Sequence, residues 1–230
     1  MAPERAVRHY QGEAGKLYHY EKRALPEEAF SWVARLRAEK LAPLIQPSDV
    51  VLEYGVGAGW NLAAVACRRK IGYDVSGFLA SSLRARGIEF APETATFPDA
   101  TIDIVICHHT LEHVTSPIAA LSEMRRLLRP GGKLLLFTPF EYEAKHERFE
   151  RGEPNHHLYS WTVQTLGNLV EECGLPVSEA RTGQFGYSRF AAEWAVRMRL
   201  GEGGFRALRR LLHIVRPGLE VRVVALKPSL

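Results

Sequence analysis

The stretch Val50-Val51-Leu52-Glu53-Tyr54-Gly55-Val56-Gly57-Ala58-Gly59 decides how this chain folds. A short apolar run with β-branched residues precedes three alternating glycines, which is typical of a buried parallel strand that enters a tight loop. Glycine lets the backbone approach a ligand closely because no Cβ stands in the way. We predict that a helix follows at residues 61–69, with Leu62, Val65 and Ala66 on its inner face. Its N-terminus would offer N–H groups to a polar or anionic ligand.

The spacing of the glycines separates several kinds of nucleotide-binding loop. A dinucleotide fingerprint requires a further glycine where this chain has Trp60. A Walker loop requires a Gly-Lys-Ser/Thr sequence, which is absent from the chain. What remains is a GxGxG loop preceded by the acid Glu53. An NAD-dependent oxidoreductase is therefore the weaker interpretation, and it stays an alternative.

An acid ends the second predicted strand. Asp74 follows the glycine loop by about 20 residues, the distance at which a carboxylate can accept hydrogen bonds from both ribose hydroxyls of a bound nucleoside. Such charge-assisted bonds are strong and orienting. A helix-capping role is the alternative, because Ser76 and Gly77 follow. The spacing favours ligand binding by Asp74, with Val75 beside it.

Strands and helices continue to alternate along the rest of the chain. Further strands are predicted at residues 88–90, 102–107, 133–140, 177–181 and 221–226, and helices at residues 26–44, 78–86, 118–128, 162–173 and 189–215. This alternation predicts an α/β fold, namely a Rossmann-like, doubly wound, seven-stranded and mostly parallel sheet. An N-terminal helical lid and a helical insertion before the last strand would complete it.

Composition excludes several classes of protein. The chain is 46% hydrophobic and 24% charged, as in ordinary globular domains, and no apolar run approaches the roughly 18 uncharged residues of a membrane span. The polar first residues argue against a signal peptide, so we expect a cytoplasmic location. The dispersed cysteines, Cys67, Cys107 and Cys173, form neither a disulfide framework nor an iron–sulfur motif.

Positive charge is concentrated toward the end of the chain. From Arg181 onward the sequence contains ten Arg or Lys residues and only three glutamates, whereas the rest of the chain is slightly acidic. A basic surface attracts anions such as a phosphorylated substrate, a nucleic acid or lipid headgroups. An ordinary solvated helix face explains the pattern equally well.

The fourth and fifth predicted strands carry a family resemblance. The sequences Ile102-Asp103-Ile104-Val105-Ile106-Cys107-His108-His109-Thr110-Leu111-Glu112-His113-Val114 and Leu127-Leu128-Arg129-Pro130-Gly131-Gly132-Lys133-Leu134 resemble those of class I S-adenosylmethionine-dependent methyltransferases. The similarity is to the type 11, ubiquinone/menaquinone-biosynthesis-like family. It extends over about residues 50–139 and more thinly over 157–174. It implies S-adenosylmethionine as methyl donor and S-adenosylhomocysteine as product.

The resemblance also implies which residues hold the donor. The glycine loop would pass under its methionine and ribose parts, and a lid that includes Tyr20 would fold over it. The common Gly-Asp-Ala that holds the adenine amine is missing, so Glu93, Thr94 or Ala95 would take its place. The candidate donor-binding residues are Tyr20, Glu53, Gly55, Gly57, Gly59, Asn61, Asp74, Val75, Thr94, His108 and His113.

Histidines are the candidate catalytic residues. His109 ends the fourth strand near the expected methyl position, and His156 and His157 lie in a loop that faces the substrate in related methyltransferases. A histidine with a pKa near neutrality can accept a proton from a hydroxyl or amine. We predict no metal ion, because side chains of adjacent residues such as His108 and His109 are expected to point apart.

The predicted domain organisation and function follow from these features. One methyltransferase domain would span residues 1–230, with a lid and first helix at 1–46, a donor-binding core at 47–182, a helical cap over the substrate at 183–219 and the last strand at 220–230. We predict methyl transfer to an O or N atom of a small molecule, with anionic compounds among the candidates. Nucleic acid is not expected, since the base-methylation motif Asn/Asp-Pro-Pro-Tyr/Phe is absent after the fourth strand. A homodimer and a non-catalytic binding protein stay open.

Overall fold

The computed structural model of this protein describes residues 5–22, 24–140, 149 and 155–229. Within these residues seven strands form one sheet. They are β1 (Val50–Tyr54), β2 (Arg69–Tyr73), β3 (Glu89–Ala91), β4 (Ile102–His108), β5 (Leu128–Pro139), β6 (Val177–Gln184) and β7 (Leu219–Leu226). Their order is β3-β2-β1-β4-β5-β7-β6, and only β7 runs antiparallel to its neighbours. The predicted Rossmann-like, mostly parallel sheet is confirmed.

The helices fall close to the predicted positions. They are α1 (Arg5–His9), α2 (Gly12–Leu17), α3 (Glu27–Leu41), α4 (Ala80–Ala85), α5 (Pro117–Leu127), α6 (Val163–Glu172), α7 (Ser188–Arg197) and α8 (Gly201–Val215). A π-helical turn, Tyr18–Lys22, follows α2. No helix among the described residues is long and apolar enough to cross a membrane.

Local sequence explains where two of these helices begin. The Ser116 side chain accepts a hydrogen bond from the Ala119 backbone N–H, and Pro117 occupies the first helical position of α5, where its missing N–H costs nothing. Thr162 and Thr165 form a reciprocal capping box at the start of α6. These caps fix the helices that cover one face of the sheet.

The strands bury side chains on both faces, as a parallel sheet between two helical layers requires. In β5, Leu134 and Leu136 belong to the apolar cluster that includes residues of α5 and α6, while Leu135 and Phe137 belong to the cluster on the opposite face. A third cluster joins α3 to α7 and α8 around Trp32. The helical insertion is therefore packed against α3.

The helix predicted at residues 61–69 was wrong. All of residues 55–68 are described. They form turns as far as Ala64 and are neither helix nor strand over 65–68, with an α-type hydrogen bond of 3.0 Å from Ala63 N–H to the Gly59 carbonyl. Leu62 and Val65 are buried as predicted, but Ala66 is exposed. The turns end before Val65, so the helical periodicity on which the prediction for Ala66 depended does not continue.

Geometry explains why this connection is not helical. Strand β2 pairs in parallel with β1 from Val50↔Arg69 to Tyr54↔Tyr73, so the connection must return along the whole length of β1. Five strand residues span about 16 Å. The nine residues at 60–68 would span only about 13 Å as a helix, with none left for turns. Non-helical backbone rises further per residue and can cover the distance.

One glycine of the loop has a packing role that can be tested. A Cβ on Gly59 would lie 2.7 Å from Ile88 Cδ1 and 2.8 Å from Leu83 Cδ2, whereas one on Gly87 would meet nothing within 4 Å. Both glycines have left-handed backbones, with φ of +80° and +71°. We expect Gly87→Ala to lower the free energy of unfolding by about 1–2 kcal/mol through backbone strain. Gly59→Ala should lose a further 1–3 kcal/mol, roughly, through overpacking. Urea denaturation measures both, and equal losses would contradict the packing role.

Candidate active site

A cavity of about 500 Å³ opens at the carboxyl ends of β1, β2 and β4. Ligands of α/β sheets bind at this edge, and the volume lies within the range of small-molecule sites. The N-terminal segment, α3 and the residue after β6 supply further walls. Nine of the predicted site residues line the cavity: Glu53, Gly55, Gly57, Asn61, Asp74, Val75, His108, His109 and His113.

Five predicted site residues are not among the described residues that line the cavity. Tyr20 is exposed and its ring packs against Phe78. Gly59 faces the core, and the Thr94 carbonyl accepts a hydrogen bond from Arg126. The ring of His156 stacks on that of His9, with centroids 5.2 Å apart, and His157 contacts His113. These five roles stay predictions.

Glu53 is a buried acid at the end of β1. Its Oε1 accepts a hydrogen bond from Asn61 Nδ2, and Asn61 Oδ1 accepts one of 3.0 Å from Arg37. Its Oε2 has no hydrogen-bond partner among the described residues, although it belongs to a cavity-lining side chain. Burial raises the pKa of Glu53 to about 8, against the opposing effects of Asn61 and Arg37. The site therefore contains a buried acid with one oxygen that accepts no hydrogen bond from the described residues.

Asp74 is held in place by backbone groups on both sides. Its Oδ2 accepts a hydrogen bond of 2.8 Å from the Gly57 N–H, and its Oδ1 accepts one of 2.9 Å from the Ser76 N–H. A carboxylate has about four lone-pair sites, so each oxygen can accept a further bond. The arrangement joins the glycine loop to the end of β2 and leaves acceptor capacity toward the cavity.

The N-terminal segment covers this side of the cavity. Tyr10, Tyr18 and His19 line it, and their rings make edge-to-face contacts with one another or with neighbouring rings. The Tyr10 hydroxyl donates to the Asn155 carbonyl at 2.9 Å and lies 2.9 Å from His113 Nδ1. Since that hydroxyl proton is used, His113 Nδ1–H is the donor in the second bond.

His108 and His109 lie side by side at the end of β4. Their ring centroids are 4.4 Å apart and their planes differ by 14°. The expectation that these neighbours point apart was wrong, because His109 has a left-handed backbone with φ of 53°. That conformation breaks the alternation of a strand and places both rings on the same side.

A buried carboxylate organises the two imidazoles. Glu220 at the start of β7 places Oε2 3.3 Å from His109 Nε2 and 3.5 Å from His108 Nε2. Its Oε1 accepts hydrogen bonds of 2.9 Å from Lys40 and 2.8 Å from Arg222. Lys40 also lies 3.0 Å from His108 Nε2, to which its ammonium donates. Three elements, α3, β4 and β7, meet in this network.

The protonation states of the network follow from burial and charge. Burial alone would raise the pKa of the Glu220 carboxyl, but the hydrogen bond from His109 and the charge of Lys40 hold it far below its usual range. Burial lowers the pKa of Lys40 to about 8, although Glu220 opposes this. Burial also lowers the pKa of His109 to about 4, and it lowers that of His108 well below 6.5. Both imidazoles are therefore neutral at pH 7.

Two clusters of described residues each bring three possible metal ligands together: His108, His109 and Glu220, and Glu112, His113 and His157. In the first cluster the Lys40 ammonium already lies within 3.0 Å of both Glu220 Oε1 and His108 Nε2. This ammonium supplies the positive charge that a metal ion would bring. The absence of a metal stays a prediction.

Several cavity or network residues were missed by sequence reasoning. Arg37, Trp60 and Phe185 line the cavity, and the Arg37 guanidinium lies 5.2 Å from the Trp60 ring centroid and 5.8 Å from that of Phe185. Lys40 and Glu220 were also missed. The i, i+3 spacing of Arg37 and Lys40 on one helix face, and a lone glutamate entering an apolar strand, were the available signals. No sequence signal indicated Phe185.

The sheet order and the cavity at its carboxyl edge define a Rossmann-like α/β protein with a site for a nucleoside-type ligand. A family model described as a methyltransferase domain matches residues 21–180, which is more than half of the chain. The chain therefore belongs to the methyltransferase domain family. The methyltransferase class predicted from the sequence is confirmed, and the type 11 subfamily stays a prediction.

Individual relatives match a little more than half of this chain. The chain is 31% identical over 136 residues to a protein of Mycolicibacterium smegmatis named as a probable S-adenosylmethionine-dependent methyltransferase, covering 56% of this chain and 52% of that protein. It is 30% identical over 134 residues to mouse probable tRNA methyltransferase 9B, covering 55% of this chain and 29% of the relative. The chain thus spans about half or less of these relatives' length.

The structure of the 4+2 cyclase SpnF matches with a TM-score of 0.59 and 22% identity, over 90% of this chain and 84% of that one. At this identity the similarity concerns the fold alone. The reaction and the acceptor must therefore be argued from the residues of the cavity.

The raised pKa of Glu53 predicts how stability depends on pH. The folded state keeps the Glu53 proton up to about pH 8, while the unfolded chain loses it near 4.5, so the contribution is complete below 4.5 and is lost as pH rises to about 8. We expect Glu53→Gln to gain stability relative to the unmodified protein by roughly 1.4 kcal/mol per pH unit across this window. Urea denaturation at several pH values tests this. A difference that does not change with pH would show that Glu53 ionises normally.

Proposed function

We propose that this protein transfers a methyl group from S-adenosylmethionine to an O or N atom of a small-molecule acceptor. The observation that carries the proposal is the cavity itself. It brings Glu53, a buried acid whose Oε2 has no hydrogen-bond partner among the described residues, together with Asp74 and the histidine pair at the end of β4. Membership of the methyltransferase domain family supports the same reaction. The type 11 resemblance of the fourth and fifth strands agrees with it.

The residues present fit this donor. Glu53 Oε2 is a buried acceptor without a partner among the described residues, which suits the ammonium group of the donor's methionine part. Asp74 has spare lone pairs for both ribose hydroxyls, while backbone bonds from Gly57 and Ser76 fix its orientation. When bound, S-adenosylmethionine supplies an electrophilic methyl group on a sulfonium. The chain's own task is then to align the acceptor and to exclude water.

His109 is the best-placed proton acceptor for the reaction. Its Nε2 faces the Glu220 carboxylate at 3.3 Å, so Nε2–H donates and Nδ1 carries the lone pair. The ring is neutral at pH 7 because burial lowers the pKa of His109 to about 4. An acceptor O–H or N–H would lose its proton to Nδ1 as the new bond to the methyl carbon forms, and Glu220 would stabilise the imidazolium.

The walls around His109 favour a compact acceptor. The cavity of about 500 Å³ must hold the donor together with the reacting part of the acceptor. Arg37, Trp60 and Phe185 provide a cation and two aromatic rings on the acceptor side, which suits a planar or anionic small molecule. Because some relatives are named as tRNA methyltransferases, tRNA belongs in the assay as a rival acceptor. Release of S-adenosylhomocysteine with tRNA alone would replace the small-molecule proposal.

Calorimetry with S-adenosylmethionine and NAD tests the donor. Asp74→Ala should weaken S-adenosylmethionine binding by about 10- to 100-fold for each hydrogen bond lost, since a bond to a charged group contributes about 1.5–3 kcal/mol. Gly57→Val should also weaken binding because it fills the loop next to the ligand. Asp99→Ala removes an exposed carboxylate, and Gly87→Val strains another left-handed glycine, so both serve as controls. Tighter binding of NAD, or unchanged affinity in Asp74→Ala, would overturn the donor assignment.

Steady-state kinetics with an accepted substrate test the base. His109→Ala should lower kcat by about 10²- to 10⁴-fold while donor affinity stays within a few fold. Glu220→Gln should lower kcat less, because the imidazole remains but loses its carboxylate. His156 and His157, in the loop before α6, provide the comparison. A large loss in His156→Ala or His157→Ala, with His109→Ala nearly fully active, would move the base to the loop before α6.

A further inference from the structure

Helices α7 and α8 turn two apolar strips toward solvent. On α7 the exposed side chains of Phe190, Trp194 and Met198 recur every four residues, which places them along one face. The opposite face of α7 is buried through Ala191, Ala192 and Ala195. The exposed strip is therefore not part of the packing that holds α7 in place.

The second strip lies on α8. Leu211 and Ile214 are exposed on the face opposite the buried Phe205, and Val215 extends the strip to the end of the helix. The Ile214 side chain is 74% exposed, a large value for an aliphatic residue in a helix. Both helices pack on α3, and the Tyr187 and His213 rings are 5.1 Å apart, so the end of α8 lies beside the start of α7. Both strips therefore lie on the solvent-exposed surface of the insertion.

The exposed surface of this segment is basic. Residues 188–216 contain seven arginines and two glutamates, with no lysine or aspartate. Five of the arginines are exposed: Arg189, Arg197, Arg199, Arg210 and Arg216. Arg206 instead pairs with Glu39 and Glu202, and Arg209 is half-buried. Of the two glutamates, Glu193 is exposed and Glu202 is engaged by Arg35 and Arg206. Arg197 lies over the Trp194 ring at 6.0 Å, within the exposed apolar strip of α7. Exposed arginines are therefore interleaved with exposed aromatic and aliphatic side chains.

We infer that the outward face of α7 and α8 binds an anionic lipid bilayer surface. Amphipathic helices with arginines beside Trp, Phe and aliphatic residues lie in the headgroup region of membranes, where apolar side chains insert and cations meet anionic headgroups. This inference concerns a surface outside the cavity and does not depend on the proposed reaction.

Two other partners fit the surface less well. A symmetric dimer through this face would place the same arginines opposite one another, which opposes association. An RNA would satisfy the arginines through its phosphates and could stack on Trp194, but it offers nothing to Ile214, Val215 and Leu211. Of these three partners, a bilayer accommodates the charges and the aliphatic side chains together.

The insertion is joined to the cavity at both of its ends. Phe185, a cavity residue, precedes α7, and Glu220 follows α8 after a short turn. A hydrogen bond of 2.9 Å from the Phe185 N–H to the Gly218 carbonyl closes the base of the insertion. A bilayer bound to its outward face would therefore lie next to the segment that walls the acceptor side of the cavity.

Vesicle flotation with the full chain tests the inference, using phosphatidylcholine vesicles with and without 30 mol% phosphatidylglycerol (roughly the anionic content that makes arginine contacts measurable). We expect binding to the anionic vesicles, much weaker binding to neutral ones, and release as salt screens the charges. Ile214→Ser should weaken binding at least about tenfold. Ile118→Ser changes an isoleucine on α5 that is 59% exposed, and it should bind like the unmodified chain.

Arg210→Gln tests the charge contribution, and it should weaken vesicle binding by about fivefold. Arg84→Gln on α4 is its control and should leave binding unchanged. Equal binding to neutral and anionic vesicles, or equal loss in Ile118→Ser and Ile214→Ser, would overturn the inference. If the chain does not bind vesicles, either of two results would also overturn the inference. One is a dimer that Ile214→Ser dissociates, and the other is retention of tRNA. Thermal unfolding of each variant confirms that these surface changes leave the fold intact.

Discussion

The Glu220 carboxylate is enclosed by groups from three separate parts of the fold, and the acceptor side of the cavity depends on it. Lys40 reaches it from α3, His108 and His109 from β4, and Arg222 from β7 itself. A buried charge that keeps all its partners is tolerated, whereas removal of one partner leaves the others uncompensated. The network therefore couples the position of α3 to the two imidazoles, and it fixes the tautomer of His109 through its bond to Nε2.

Two buried acids, Glu53 in the cavity wall and Glu220 behind the histidine pair, have opposite environments. Glu220 is surrounded by donors, so its pKa lies far below the usual range, whereas burial raises the pKa of Glu53 to about 8. The first acid is satisfied by the protein alone. The second is left with an oxygen that no described residue contacts. This asymmetry is why the proposed donor site uses Glu53 as a ligand-binding acid, whereas Glu220 is bonded by the protein itself.

Local patterns predicted most of the sheet and nine of the residues that line the cavity, about a third of its wall. The sequence predicted the strand at Val50, the glycine loop and the position of Asp74 at a strand end. Strands, turns and strand ends depend on neighbouring residues, so a local pattern is enough to predict them. The helix at residues 61–69 was wrong because its length is set by the distance back along β1, which local composition does not report. Arg37 and Glu220 were missed because only the folded sheet brings α3 and β7 to the same edge.

The left-handed His109 also illustrates what a sequence conceals, since its stacking on His108 depends on a backbone angle and not on residue type. The contacts of Glu220 extend this point to the order of folding. It is separated from His109 by 111 residues and from Lys40 by 180. Closing such long loops is slow compared with forming local helices and turns. The network around His109 is therefore completed only when β7 pairs with β5, where Glu220 lies opposite Pro139. Under the proposed function, a chain whose last strand has not yet paired would lack the carboxylate that orients the base.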